Sequence, residues 1–230
     1  MARLYQESLL TVNADSTEFC PLQDLHNLLA VGTYQLDEKT QIRHGLLHLY
    51  AMSSKRLGEV HLADETSDRT HHWQLQQTSA LPISGIFDMT WQVAQPARLL
   101  AACADGSVHL LALQLSGDTS WLVEQQKVVV SEGAMALSLD IAACGQRIVA
   151  SSSAGTVSAL QVPCLCLPFK LLPGIHCIAD AGWSDGSSQH ITGYTLQASE
   201  SETCVTAQWQ AHDLEAWSAA FDRWQVYHQQ

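Results

Sequence analysis

Short apolar runs, punctuated by Gly and Ser and returning three times in one order, predict an all-β fold. The repeat itself predicts a β-propeller, incomplete at about three blades plus the first strand of a fourth. Each unit shows an apolar strand that shifts to small residues: LLAVGTY (Leu28 to Tyr34), LLAACADG (Leu99 to Gly106) and IVASSSAG (Ile148 to Gly155). A second strand follows each: GLLHLYAM (Gly45 to Met52), GSVHLLAL (Gly106 to Leu113) and GTVSALQV (Gly155 to Val162). The last two connections carry Gly106 and Gly155, where a tight hairpin turn calls for positive φ. In the first unit the turn expands into a polar loop, Leu36 to His44.

Each pair is preceded by an innermost strand: DSTEFCP (Asp15 to Pro21), IFDMTWQV (Ile86 to Val93) and ALSLDIAA (Ala136 to Ala143). EAWSAAF (Glu215 to Phe221) is a fourth copy, opening a further blade. A fourth strand per blade is expected between the units, as in WLVEQQKVVV (Trp121 to Val130), with Trp209 near the end of the last such strand. The units recur at roughly 50 to 70 residues, above the ~40 to 45 of a compact propeller repeat. Polar loops such as Ala63 to Thr78 take up the excess, since added loop length costs little closure entropy.

Residues 163–195 break the pattern and read as an insertion within the 1–230 propeller, with three of the six Pro and three of the seven Cys. Cys164, Cys166, His176 and Cys177 match no standard zinc spacing, and His71-His72 reads as an exposed loop pair, so no metal is expected. No phosphate-binding Gly loop or nucleotide fingerprint occurs, and no cofactor is expected.

Of 230 residues, 47% are hydrophobic and 15% charged, a composition that buries a core. Acidic residues outnumber basic ones 23 to 11, a formal net charge of -12. That balance offers no general attraction to nucleic acid or anionic lipid. No apolar run is long enough to span a membrane, Glu7 interrupts any leader-like segment, and the odd Cys count shows no framework spacing. A cytoplasmic location is the expectation.

ADSTEFCPLQ and LLAVGTYQL (within Ala14 to Leu36), with WQAHDLEAWSAAFDRW (Trp209 to Trp224), resemble the WD-repeat diphthine methyl ester hydrolases of diphthamide biosynthesis. IFDMTW and ALSLD fall in the expected order between them. The resemblance implies a cytosolic propeller acting on translation elongation factor 2. The reaction it implies is hydrolysis of the methyl ester of methylated diphthine, a modified histidine, so that amidation proceeds. The family is longer, so Met1 to Gln230 alone is expected to be inactive and poorly soluble. The other reading is a non-catalytic WD-repeat scaffold that binds a protein partner.

Ester hydrolysis needs a nucleophile, a proton acceptor and oxyanion donors. Ser151-Ser152-Ser153-Ala154-Gly155 lacks the first Gly of a nucleophile elbow and reads as a turn. Aligning the inner strands on Phe19, Trp91, Ile141 and Phe221 makes Ser16, Asp88, Ser138 and Ser218 equivalent at the channel rim. Ser16, Asp88 and Ser138 are catalytic candidates, with blade-to-blade hydrogen bonding as their structural alternative. His212, in an Ala-His pair, is the candidate base, with a structural cross-blade role as its alternative. Asp140 and Glu215 add acidic candidates. A quaternary ammonium on the substrate suits carboxylates and aromatic faces, which makes Trp91, Glu215 and Trp217 the binding candidates, alongside Trp224 and Asp88. Packing between blades is the alternative for the Trp residues.

Overall fold

Trp91, Phe19 and Ile141 stand at matching registers of three separate sheets, opposite Leu99, Leu29 and Ile148. The computed structural model describes residues 7–56, 71–93, 96–117, 119–162 and 203–221. The first sheet holds β1 (Asn13–Phe19), β2 (Leu28–Asp37), β3 (Ile42–Arg56) and β4 (His71–Ser84). The second holds β5 (Ile86–Gln92), β6 (Arg98–Cys103), β7 (Ser107–Ser116) and β8 (Thr119–Val129). The third holds β9 (Ala136–Ile141), β10 (Arg147–Ser152), β11 (Thr156–Gln161) and β12 (Cys204–Gln210). Every pairing is antiparallel, strands follow chain order within each sheet, and no helix occurs among the described residues. Inner strands β1, β5 and β9 pack side by side, so the sheets succeed one another as blades of an incomplete propeller.

The core lies between the blades. Leu28, Ala30, Leu47 and Leu49 of the first sheet meet Ile86, Met89, Trp91, Leu99 and Ala101 of the second. Leu100, Ala102, Val108 and Leu110 on the second sheet's other face meet Ala136, Leu139, Ile148 and Ala150 of the third. Successive β6 residues feed opposite cores, so every position of Arg98–Cys103 is buried. This explains why LLAAC is a continuous apolar run rather than an alternating one. Each fully buried Leu or Ile contributes roughly 1.5–3 kcal/mol of transfer free energy.

One irregularity recurs in all three sheets. The register slips between Ala14 and Ser16, between Ile86 and Asp88, and between Ser151 and Ser152 of β10 opposite Ser138 and Ala136. Each slip leaves one inner-strand residue unpaired just before Ser16, Asp88 or Ser138. Such bulges re-aim the next side chain. Here they put Ser16, Asp88 and Ser138 opposite Gly32, Ala102 and Ser151, three equivalent places.

The two Gly hairpins do a second job. Gly106 (φ 77°) and Gly155 (φ 75°) take the left-handed conformation that the turns need. The carbonyl of Gly106 then accepts the N–H groups of Val130 and Ser131, and that of Gly155 those of Ala211 and His212. The chain leaving each outer strand is thereby pinned to the hairpin on its way to the next blade.

Three expectations need correction. The loop from Ala63 to Thr78 is partly strand: β4 begins at His71, so the His71-His72 pair belongs to a strand. Its polar composition hid it, because an outer edge strand needs few apolar residues. Pro82 fits there, since an edge position requires no donor on its outer side. The loop from Leu36 to His44 shrinks to a short turn between Asp37 and Ile42, closed by the Asp37 carboxylate accepting from Lys39 N (2.9 Å). Finally, Glu215 to Phe221 lies beside β9 but forms no ladder among the described residues. Its N–H groups go instead to Ser152 O from Ala216, Ser138 Oγ from Ala219 and Asp140 Oδ2 from Phe221. The stretch occupies an inner-strand position, and its hydrogen bonds reach sideways to the neighbouring blade. The segment read as an insertion, 163–195, lies outside the described residues.

Candidate functional site

Where the crossover from β12 passes the β10–β11 hairpin, a cavity of ≈ 530 Å³ opens, lined by Ser153, Ala154, Asp213, Leu214, Glu215 and Trp217. The backbone explains the lining. Ala216 is 2% exposed and its N–H donates to Ser152 O (3.0 Å), which anchors the stretch against the hairpin. The chain bends at Asp213 and Leu214 before reaching that anchor, which brings Asp213, Leu214, Glu215 and Trp217 to one cavity. Trp217 is 70% exposed and Leu214 81%. Ser153 Oγ accepts the Met135 N–H (2.9 Å), so it serves as a turn cap.

Of the binding candidates, Glu215 and Trp217 come together in this cavity. Trp91 does not join them. It is 4% exposed in the core between the first two sheets, and its Nε1 donates to Glu18 O (3.3 Å). Trp224, Cys164, Cys166, His176 and Cys177 lie outside the described residues.

The catalytic candidates sit on the inner strands. Asp88 accepts the Leu139 N–H of the next blade through Oδ2 and its neighbour Met89 N–H through Oδ1, both at 2.9 Å. Ser138 repeats the first bond one blade on: its Oγ accepts from Ala219 N (3.0 Å), and also from Ser151 Oγ (3.3 Å). Asp140 repeats the two-armed pattern with Ile141 N and Phe221 N, both at 2.9 Å. Ser16 is half-buried at the equivalent place on β1. His212 is exposed beside the cavity wall, its N–H donating to Gly155 O (3.1 Å). Ser218 is exposed.

The inner strands also carry an acidic row. Burial, and then the charge of Asp88, push the Glu18 carboxyl above its ordinary range. Burial raises Asp88 as well, the hydrogen bonds from Leu139 and Met89 N–H oppose it, and the charges of Asp140 and Asp15 add to the rise.

Two groupings escaped the sequence reading. Asp213 shares the cavity, brought there by the bend at Asp213 and Leu214, which no spacing in the sequence marks. The other is a charged network on the outer half of the second blade. His109, 4% exposed, meets Glu124 Oε2 through Nδ1 at 2.5 Å and Asp105 Oδ2 through Nε2 at 3.6 Å. Lys127 Nζ reaches the same Asp105 oxygen at 2.6 Å, and Ser107 Oγ donates to its Oδ1. Only the β7–β8 register, with His109 opposite Lys127, brings these residues together. No group of three or more His, Cys, Asp or Glu able to hold a metal occurs among the described residues.

Repeated four-stranded blades, inner strands tied by side-chain acceptors, and an acidic, Trp-walled cavity at a blade end define the class: an incomplete β-propeller. No protein-family model matches the chain. It is 32% identical over 222 residues to the Homo sapiens protein named diphthine methyltransferase, 93% of this chain and 43% of that protein. The Mus musculus protein of the same name is 26% identical over 238 residues, 97% of this chain and 42% of that protein. One from Schizosaccharomyces pombe is 23% identical over 204 residues, 87% and 44%. Nearly the whole chain is thus similar to proteins named diphthine methyltransferase, and it spans less than half the length of these relatives.

Proposed function

We propose that this chain is part of a cytoplasmic enzyme of diphthamide biosynthesis that hydrolyses the methyl ester of methylated diphthine on translation elongation factor 2. The observation that carries the reading is similarity along nearly the whole chain to three proteins named for diphthine. In this WD-repeat reading, water adds to the ester carbonyl, methanol leaves with a proton, and the carboxylate remains on the modified histidine. His212 is the candidate base, exposed and next in sequence to the cavity carboxylate Asp213. Ser16, Asp88 and Ser138 then position the inner strands and shape the rim around the reacting group.

One observation favours a non-catalytic scaffold as the second reading. Asp88 and Ser138 already accept backbone N–H groups, which fits a purely architectural duty. The experiment is methanol release from elongation factor 2 bearing methylated diphthine, using the protein that contains this chain. Release that depends on enzyme supports the hydrolase. Intact ester after prolonged incubation with folded protein removes it.

A further inference from the structure

We propose that the first sheet docks a further β-sheet on the face turned away from the second sheet. The occupant is supplied by residues of the same protein outside 1–230, with Phe19 and Leu29 as apolar anchors and His48 as the buried hydrogen-bonding group. The face is defined by alternation. Leu28 and Ala30 of β2, and Leu47 and Leu49 of β3, feed the core shared with the second sheet. Leu29 and His48 lie between them and therefore point the other way. Phe19 shares their side, because it stands opposite Leu29.

Two observations show what this face is shaped for. The first is exposure at matched registers. Phe19 pairs with Leu29 as Trp91 pairs with Leu99 and Ile141 with Ile148. Trp91 and Leu99 are buried against the first sheet, and Ile148 against the second. Phe19 is 49% exposed where Trp91 is 4%, and Leu29 is half-buried where Leu99 and Ile148 are fully buried. The positions that join one sheet to the preceding one are thus repeated on the first sheet, with apolar residues still in place. The second observation is His48. It is 7% exposed and stacks on Tyr50 with ring centroids 6.1 Å apart, and neither ring nitrogen meets a hydrogen-bond partner among the described residues. A neutral imidazole carries one donor and one acceptor, and buried polar groups are as a rule paired. Ser158 holds the matching place on the third sheet, opposite Ala150 as His48 is opposite Val31. Its Oγ donates to Val130 O, on the chain leaving the outer strand of the preceding sheet, at 3.1 Å. The corresponding carbonyl of a docked sheet is the partner that His48 lacks.

The same polypeptide is favoured over a second copy. The third sheet of a copy has Glu215 to Phe221 lying beside β9, held by Ser152 O, Ser138 Oγ and Asp140 Oδ2, so its free face is already taken up. The relatives are more than twice the length of this chain, so a protein of their size holds the residues for another sheet.

The test replaces Phe19 with the photo-reactive p-benzoylphenylalanine in the protein that contains this chain, with a melting curve to show that the fold is kept. After irradiation, adducts are mapped by mass. The expected adduct lies within one polypeptide and joins position 19 to residues outside 1–230. Adducts between two copies, adducts confined to residues 1–230, or none from folded protein would overturn the proposal. Leu29→Cys, a smaller change, gives an independent reading. A maleimide should modify it at least about tenfold more slowly than the exposed Cys144, because the sheets must part before it reacts. Equal rates in the native protein contradict the docking. Neither readout uses methanol release, so this face and the proposed reaction fail separately.

Discussion

The Asp88 carboxylate accepts the backbone N–H of Leu139 at 2.9 Å, across the boundary between the second and third blades. Ser138, at the matching register, does the same for Ala219 (3.0 Å). The position thus serves as a repeated clamp between blades. Replacing Asp88 with Ala leaves two N–H groups without their acceptor, at a cost of about 1–3 kcal/mol for a half-buried site. Asp88→Ser should recover part of that, since a hydroxyl suffices one blade later. Denaturant melts of the two variants measure the difference. Equal stability of Asp88→Ala and the parent would show that the clamp bears no weight.

Trp91 is expected to act through packing alone. Removing a buried indole should cost about 3–5 kcal/mol in Trp91→Ala, and Trp91→Phe much less. Denaturant melts of both variants check this, and a Trp91→Ala protein as stable as the parent would overturn the packing role.

Gly155 couples the hairpin to the cavity. A Cβ there meets His212 O at 2.2 Å and Leu214 O at 2.3 Å, and φ is already +75°. Gly155→Ala should destabilise the fold by more than about 1 kcal/mol through the strained φ alone. It should also displace the crossover that holds Asp213 and Glu215. The check is a melting curve together with the Trp217 indole resonance, which should move from its place in the parent.

The outer network of the second blade should give a pH signature. Burial pulls the His109 pKa down, but the nearby Asp105 carboxylate and the hydrogen bond to Glu124 outweigh burial and hold it above 6.5. Its stabilisation is complete below 6.5 and is lost as pH rises through the raised value. For Asp105, burial opposes ionisation, and the nearby His109 ring together with bonds from Lys127 and Ser107 overcomes it, leaving a carboxyl well below its ordinary 3.8. That contribution is present above 3.8 and is lost as the solution becomes strongly acidic. Stability should therefore fall between neutral and mildly alkaline pH, by about 1 kcal/mol given the partial exposure of the carboxylates. Glu124→Gln should shrink the fall. Urea melts across that range, with no difference between the two proteins, would contradict the assignment.

Thiol reactivity should divide the described cysteines. Cys20 and Cys103 are buried, and burial pushes both thiols up, whereas Cys144 and Cys204 are exposed. A maleimide at neutral pH should modify Cys144 and Cys204 in the native state and reach Cys20 and Cys103 only after denaturation. Peptide mapping by mass reads this directly.

Much of this architecture was legible because hairpins are local. Gly106 and Gly155 mark their own turns, and apolar anchors such as Trp91 and Ile141 repeat at nearly the same distance before them. What stayed hidden depends on long-range pairing. His109 and Glu124 meet only once β7 and β8 are in register, and β4 shows its strand character only against β3. The equivalence of Ser16, Asp88 and Ser138 was readable, but the N–H groups that Asp88 and Ser138 accept belong to the neighbouring blade, which no local pattern encodes. The cavity was half legible: Glu215 and Trp217 stood out, while Asp213 and the hairpin Ser153 joined them only through the crossover.

β12 enters its sheet about 40 residues after β11 ends, so no tight hairpin sets its register. The second blade supplies a template. Gln126 grips both backbone groups of Thr203, at 2.9 and 2.7 Å, just ahead of β12, and Gln208 Nε2 reaches back to Val130 O at 2.6 Å. The outer strand of the third blade is therefore held from two sides, by β11 within its own sheet and by the second blade across the boundary, so damage to Gln126 is felt in a sheet to which it does not belong.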